Sequence, residues 1–229
     1  MPTVSLTLYI HPLASFCHKV LIAFYENDTP FRAETVDFSD PGSAKAHLER
    51  WPVGKIPVLF DDRTMRVIPE TSIIIEYLQE NYPGRAALLP KDAAVRLETR
   101  LWDRFFDLHV NTPMGKIVTD RIRPEGKSDA YGVAEARATL TTAYAMIEEQ
   151  VSSHDWAAGD DFTLADCAAA PALFYASIVH PFGKRQPHLA QYFDRLLARP
   201  SVSQVIDEAR PFFPMFPYRD AMPARYLTG

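Results

Sequence analysis

The stretch Gly54-Lys55-Ile56-Pro57-Val58-Leu59 places a proline at the entry to a short apolar run, which predicts a buried strand. Proline cannot donate a hydrogen bond to a strand ladder, so it is uncommon at such a position. Two backbone conformations at Pro57 are consistent with this sequence. In one, the Ile56–Pro57 bond is cis, and the turn exposes the backbone N–H and C=O of Ile56 to an extended peptide. In the other, a trans proline begins an edge strand.

The sequence around this stretch alternates between strand and helix patterns. Period-two alternation or apolar runs predict strands at 5–10, 31–38, 56–60 and 65–68, and periodicity near 3.6 predicts helices at 17–24, 44–50 and 70–81. Strands that alternate with helices and end in a hairpin indicate a mixed sheet with helices on its faces. We therefore predict an α/β domain over residues 1–83.

A second domain over residues 92–229 is predicted to be entirely helical. Pro83-Gly84-Arg85 interrupts the earlier pattern, and the later apolar periodicity predicts helices at 95–110, 132–151, 162–175, 187–197 and 202–209. After Arg210, prolines recur every third residue between large apolar side chains. This tail predicts an extended, polyproline-like segment, because proline disfavours a helix interior. We expect its aromatic residues, Phe212, Phe213, Phe216 and Tyr218, to fold back onto the helical domain.

Composition argues against several classes of protein. The net charge of −5 is unlike that of a nucleic-acid-binding protein. The sequence contains no uncharged apolar run long enough to predict a membrane-spanning helix. The first residues lack the basic segment of a signal peptide. The two cysteines, Cys17 and Cys167, lie far apart and suggest no disulfide framework. These features predict a cytoplasmic protein that binds neither nucleic acid nor membrane.

Two predicted helix starts carry groups suited to binding. Glu70-Thr71-Ser72 precedes an apolar helix, where free backbone N–H groups bind anions and a glutamate can accept from an ammonium group. Such a pair suits the two ends of an amino acid; the alternative is simple capping. Ala14-Ser15-Phe16-Cys17 opens the first helix, whose positive end stabilises thiolates. The alternative there is a plain turn with Cys17 in the core.

A third predicted helix start has a structural role and no role in binding or catalysis. In Phe162-Thr163-Leu164-Ala165-Asp166, Thr163 is expected at the N-cap and Asp166 at the third helical position, with Phe162 available as a hydrophobic staple. We interpret the segment as a capping box that fixes the start of a helix.

Together, the first strand, the Ser-Phe-Cys helix start, G-K-I-P-V-L, E-T-S-I-I-I-E-Y-L and F-T-L-A-D resemble the glutathione transferase superfamily, in its bacterial serine- and cysteine-type classes. The resemblance extends from Leu6 to about Arg210. It implies a thioredoxin-like N-terminal domain, an all-helical C-terminal domain, glutathione as co-substrate and no metal. It also implies a homodimer.

The resemblance assigns residues to glutathione. Pro57 is implied as the cis proline, Ile56 as the residue that pairs with the cysteinyl backbone, and Glu70 with Thr71 as holding the γ-glutamyl group. Lys55 matches a position that often helps to hold the glutathione backbone.

The activating residue departs from the family pattern. Serine- and cysteine-type members carry it three positions before Cys17, where this chain has Ala14. We expect the neighbouring Ser15 to supply the hydroxyl, with Tyr9 as the alternative. Leu13, together with the 102–114 helix, is expected to contact the electrophile.

The implied reaction is attack of the glutathione thiolate on a hydrophobic electrophile. Two alternatives remain: a glutathione-dependent disulfide reductase or peroxidase, and a non-catalytic binding protein, because fold does not fix function. The wide apolar arc of the 95–110 helix, which includes Leu97 and Leu101, favours a two-fold dimer. Burial of that helix between the domains of one chain is the alternative.

Overall fold

The computed structural model describes residues 4–227, and the chain divides into two compact units after Leu88. The first unit contains seven elements: β1 Leu6–Ile10, α1 Ser15–Glu26, β2 Arg32–Thr35, α2 Pro41–Arg50, β3 Val58–Asp61, β4 Arg66–Pro69 and α3 Thr71–Asn81. The strands form one sheet in the order β2-β1-β3-β4. β1 and β2 are parallel, whereas the other two pairs are antiparallel. This is the predicted mixed sheet of a thioredoxin-like domain.

The core of this unit follows the predicted periodicity. Leu6 and Leu8 of β1 are buried, and so is the face of α1 that carries Cys17, Val20 and Phe24. α1 packs against α3. The sheet and its two helices therefore bury the apolar positions that the sequence places on one side of each element.

The bounds of this unit agree with the prediction to within two residues except at two places, which differ by three residues for local reasons. β2 pairs only over Arg32–Thr35 and is followed by a turn in which the Asp37 carboxylate accepts from the backbone and hydroxyl of Ser39. α2 begins at Pro41, three residues earlier than predicted, because the Asp40 side chain caps it by accepting from the Ser43 N–H at 2.7 Å. A proline in the first helical turn loses no hydrogen bond.

The second unit is helical: α4 Ala93–Phe105, a π-helix Phe106–Asn111, α5 Thr112–Asp120, α6 Ala130–Gln150, α7 Leu164–Val179, α8 Pro187–Leu197, α9 Pro200–Ala209 and α10 Ala224–Leu227. Apart from an isolated bridge between Trp156 and Gly159, residues 89–227 form no strand. α7 is buried along nearly its whole length and forms the centre of the unit. The predicted 95–110 helix continues through the π-helix into α5, which the periodicity did not predict.

The tail is not extended, so that prediction is wrong. It forms the 3-10 helices Arg210–Met215 and Arg219–Ala221 before α10. A 3-10 turn closes over three residues, and Pro211 in its first turn removes no hydrogen bond, whereas Pro214 lies inside the same 3-10 helix. The fold-back is confirmed for Phe213 and Phe216, which are buried and pack on Phe174 and Tyr175 of α7. Phe212 and Tyr218 are only half-buried.

The predicted capping box at the start of α7 is confirmed. Thr163 is the N-cap, its hydroxyl accepts from the Ala165 N–H, and Asp166 accepts from the Thr163 N–H at 2.8 Å. Asp166 is fully buried and also accepts from the Ala157 N–H at 2.9 Å and the Tyr192 hydroxyl at 2.6 Å. One carboxylate therefore joins α7, α8 and the segment before α7.

Candidate functional site

The predicted site residues of the first unit emerge from one end of the sheet. The strand register places Tyr9, Val58 and Pro69 in a single row across β1, β3 and β4. After Tyr9, β1 ends and the chain turns into α1. Ile56 and Pro57 lead into β3 just before Val58, and β4 ends at Pro69, directly before Glu70. Three segments that are distant in sequence therefore meet at this edge.

The turn between β1 and α1 is closed by its own backbone. The Ala14 N–H donates to the His11 carbonyl at 2.9 Å, and the Leu13 N–H donates to Nδ1 of the His11 ring at 3.2 Å. Leu13 itself is half-buried at the tip of the turn. The turn delivers the chain directly into the first residue of α1.

The start of α1 presents open donors. Ala14 is the N-cap and has no side chain able to cap, while the Cys17 and His18 N–H groups both donate to its carbonyl. Among residues 4–227, the Ser15 and Phe16 N–H groups and the Ser15 hydroxyl have no hydrogen-bond partner. Because the helix end is electropositive, these three donors have the charge and geometry that suit an anion.

Cys17 is not part of this set of donors. Its side chain is fully buried, as predicted from the face it shares with Val20, and burial raises the pKa of its thiol to about 12. A thiol with such a pKa stays neutral near pH 7 and is a poor nucleophile. Cys17 is therefore a core residue.

Tyr9 has a packing partner that accounts for an aromatic residue at this position. The guanidinium carbon of Arg50, at the end of α2, lies 3.5 Å from the centre of the Tyr9 ring. Such a cation–π contact favours retention of a tyrosine without any chemical role for its hydroxyl.

The Ile56–Pro57 peptide bond is cis, which resolves the alternative that the sequence left open. Pro57 is buried, and Val58 is the first residue of its strand to pair with β1 and β4. The backbone N–H and C=O of Ile56 make no hydrogen bond to other described residues. They are available to an extended peptide. The Lys55 side chain is exposed beside them.

The start of α3 is open as well. Glu70 is the N-cap, but its side chain makes no capping hydrogen bond and is exposed, so the capping alternative is wrong. Its φ of 69° lies in the left-handed region, which is unfavourable for a residue with a side chain and recurs at functional sites. Thr71 follows as the first helical residue and is largely buried. Within residues 4–227, the Glu70 side chain and the Thr71 N–H therefore make no hydrogen bond of their own.

Three buried polar residues lie around the site at positions that the sequence pattern does not mark. Lys19 of α1 is 1% exposed and donates to the Ser72 hydroxyl of α3 at 3.1 Å. His18 donates from Nε2 to the Pro12 carbonyl at 2.6 Å, and burial lowers the pKa of its ring to about 4. His47 of α2 contacts the Lys55 carbonyl at 3.0 Å. A polar residue in an amphipathic helix is ordinarily assigned to the solvent face, so periodicity gave no signal for them.

Residues 4–227 contain no group of three or more His, Cys, Asp or Glu side chains arranged to hold a metal ion. Within the same residues, no helix combines the length and hydropathy needed to cross a bilayer.

Comparison with known structures supports the fold. A glutathione S-transferase from Methylobacillus flagellatus with glutathione bound aligns with a TM-score of 0.79 at 23% identity, covering 88% of this chain and 98% of that one. A glutathione S-transferase from Methylobacterium radiotolerans in complex with glutathione sulfonate aligns with a TM-score of 0.74 at 29% identity, covering 87% and 93%.

Sequence comparison extends the likeness to the family. The chain is 31% identical to the glutathione S-transferase-like protein LUC7 of a Fusarium species over 160 residues, which are 68% of this chain and 72% of the relative. It is also 31% identical to the FtsZ-localized protein A of Caulobacter vibrioides over 188 residues, 79% and 80% of the two chains. Models of the N-terminal and C-terminal domains of glutathione S-transferase match residues 8–86 and 110–200. The chain therefore belongs to the glutathione S-transferase superfamily.

Proposed function

We propose that this protein is a glutathione transferase that conjugates the glutathione thiolate to a hydrophobic electrophile. The observation that carries the proposal is the row Tyr9, Val58 and Pro69, which brings three open sets of hydrogen-bonding groups to one edge of the sheet. The α1 donors suit a thiolate, the Ile56 backbone suits the cysteinyl peptide, and the α3 start suits the γ-glutamyl end. In glutathione the thiol is the side chain of the cysteinyl residue, and the γ-glutamyl group is bonded to the amide nitrogen of that residue. The three parts therefore lie next to one another, as the three sets of protein groups do.

In this proposal the protein's role is to hold and ionise the thiol. A free thiol has a pKa of about 8.5, so little of it is ionised at neutral pH. Donors at the start of α1 stabilise the anion and lower that pKa, while the electropositive helix end adds to the effect. The Ser15 hydroxyl is the side-chain donor of the set, and Leu13 contributes apolar surface for the electrophile.

The reductase alternative has less support when it uses a sulfur of the protein. Ala14 occupies the position of the attacking cysteine, and both Cys17 and Cys167 are buried. For the non-catalytic alternative, one relative at 31% identity, FtsZ-localized protein A, is named for where it localizes and not for a reaction.

Turnover measurements separate these functions. We expect conjugation of glutathione to an aryl halide at a rate well above the uncatalysed one, and little reduction of a small disulfide. Binding of glutathione without either turnover would favour the non-catalytic role, and the absence of calorimetric binding would exclude all glutathione-dependent functions.

Glu70→Ala is expected to weaken glutathione binding by about 1.5–3 kcal/mol, because it removes a charged hydrogen-bond partner of the ligand's ammonium group. The measurement is calorimetric affinity, supported by retention on immobilised glutathione. Glu80→Ala, at an exposed position near the other end of α3, is the matched control and should bind as the wild type does. Equal affinity in the Glu70→Ala protein would exclude the assignment.

We also propose that the protein is a homodimer through α4 and α6. Leu97 and Leu101 of α4 are 70% and 57% exposed in the single chain, and Met146 of α6 is 49% exposed. Beside them lies a groove of about 510 Å³, lined by Phe105, His109, Ala138, Thr139, Thr142, Ala143 and Met146. An apolar groove flanked by exposed apolar side chains on one surface suits a self-complementary two-fold contact.

Leu101→Glu is expected to dissociate this dimer. A two-fold interface contains the substituted residue from both subunits, so two carboxylates would lose their contact with water on association. Sedimentation at micromolar concentration should then give a species near 25.9 kDa, the mass of one chain. Ile122→Glu, at a similarly exposed apolar residue outside α4 and α6, should remain dimeric. A wild-type protein that sediments as a monomer would refute the proposal.

A further inference from the structure

The buried histidine of α2 contacts the segment that leads into the cis proline. His47 has no exposed surface, and its Nε2 lies 3.0 Å from the Lys55 carbonyl oxygen. A carbonyl oxygen can only accept, so Nε2 carries the proton of this hydrogen bond. The Phe38 ring packs against the His47 ring in a T-shaped contact, with the ring centroids 5.7 Å apart. His47 is therefore held as a donor aimed at one carbonyl.

A purely packing role does not explain a histidine here. Nδ1 of His47 is buried and has no hydrogen-bond partner among the described residues. Leaving a buried polar atom without a partner is unfavourable, and an apolar side chain of similar size would avoid that loss. What histidine adds over an apolar side chain is the Nε2 donor. The role of His47 therefore depends on the Lys55 carbonyl that this donor contacts.

That carbonyl belongs to the same peptide group as the Ile56 N–H. A trans peptide is planar, and its C=O and N–H point in opposite directions. A donor that fixes the Lys55 carbonyl therefore also fixes the direction of the Ile56 N–H on the other side. Accepting a hydrogen bond polarises the peptide, which makes its N–H a stronger donor.

The remainder of the segment supports this fixation. The Trp51 N–H donates to the His47 carbonyl at 2.8 Å, and the Gly54 N–H donates to the Trp51 carbonyl at 2.9 Å. Gly54 has a φ of 68°, which a residue with a side chain rarely adopts, and a Cβ there would lie 3.1 Å from a methyl group of Leu48. The backbone from α2 to Ile56 is thus held by α2 at several points.

From this geometry we propose that His47 is a positioning residue for glutathione, resting on the proposed function above. It orients and polarises the Lys55–Ile56 peptide from the side away from the ligand, so that the Ile56 N–H is set to donate to the cysteinyl carbonyl. His47 does not touch glutathione.

The test compares His47→Leu, which removes the donor, with His47→Gln, whose side-chain amide can donate from a similar position. Calorimetry on the full chain should show that His47→Leu raises the dissociation constant for glutathione about tenfold, while His47→Gln stays within about threefold of the wild type. His154→Leu, at an exposed histidine, is the matched control for the substitution and should not change binding.

A second measurement needs no ligand. The NMR order parameter of the Ile56 amide should be near that of rigid backbone, about 0.85, in the wild type and in His47→Gln, and clearly lower in His47→Leu. Unchanged affinity in His47→Leu, or equal weakening in both variants, would overturn the inference. A wild-type protein that does not bind glutathione overturns the proposed function instead. In that case the order parameters still decide whether His47 orients the peptide.

Discussion

Ser15→Ala is expected to lower kcat/KM for conjugation about tenfold to a thousandfold and to raise the pKa of the bound glutathione thiol. Loss of one donor to a developing anion has effects of this size. Ser15 supplies a side-chain donor at the start of α1, and within residues 4–227 its hydroxyl has no partner that would compete with the ligand. The thiolate absorbance of bound glutathione, followed against pH, measures the pKa directly. Because a raised pKa leaves less thiolate at neutral pH, the pH–rate profile should move to higher pH.

Two matched variants distinguish the mechanism. Cys17→Ala should leave the thiol pKa of bound glutathione nearly unchanged, because Cys17 is buried in the core and its own thiol has a pKa of about 12. Tyr9→Phe should also leave it unchanged, since the Arg50 contact involves the ring and not the hydroxyl. If Tyr9→Phe raises that pKa and Ser15→Ala does not, a tyrosine mechanism replaces ours. If none of the three variants changes it, either the backbone amides alone activate the thiol or the protein does not activate glutathione.

Asp166→Asn is expected to lower the free energy of unfolding by about 3 kcal/mol or more. The substitution keeps the size of the side chain but replaces one acceptor oxygen with a donor group. Buried donors that now point at Asp166, from Thr163, Ala157 and Tyr192, would lose a charged acceptor. Each unpaired buried group costs about 1–3 kcal/mol, and hydrogen bonds to charged groups are the strong ones.

Urea unfolding at a fixed protein concentration measures this loss, because dimerisation would otherwise shift the midpoint with concentration. Asp161→Asn, at an exposed position of the same segment, is the control and should change the midpoint little. A midpoint for Asp166→Asn equal to that of the wild type would mean that the capping box does not stabilise the helical unit.

The sequence by itself determined the features that depend on neighbouring residues. Alternation and short apolar runs predicted the strands of the sheet, and helical periodicity predicted the buried face of α1, because side-chain direction repeats with the period of the element. The capping box at Thr163 and Asp166 was likewise readable, since a cap and the third helical residue are only three positions apart. Local patterns also gave two wrong predictions: Asp40 belongs to the cap of α2 and not to the turn before it, and the proline-rich tail forms 3-10 turns and not an extended segment.

Only the tertiary structure decided how distant segments meet at the site. Tyr9 and Val58 share a row across the sheet although 49 positions separate them, and no periodicity encodes that register. The same holds for Lys19, buried in α1 against Ser72 of α3, and for His47, which donates to the Lys55 carbonyl. Burial and hydrogen bonding of a side chain depend on which surface lies opposite it. That surface is set when the whole sheet and its helices have packed.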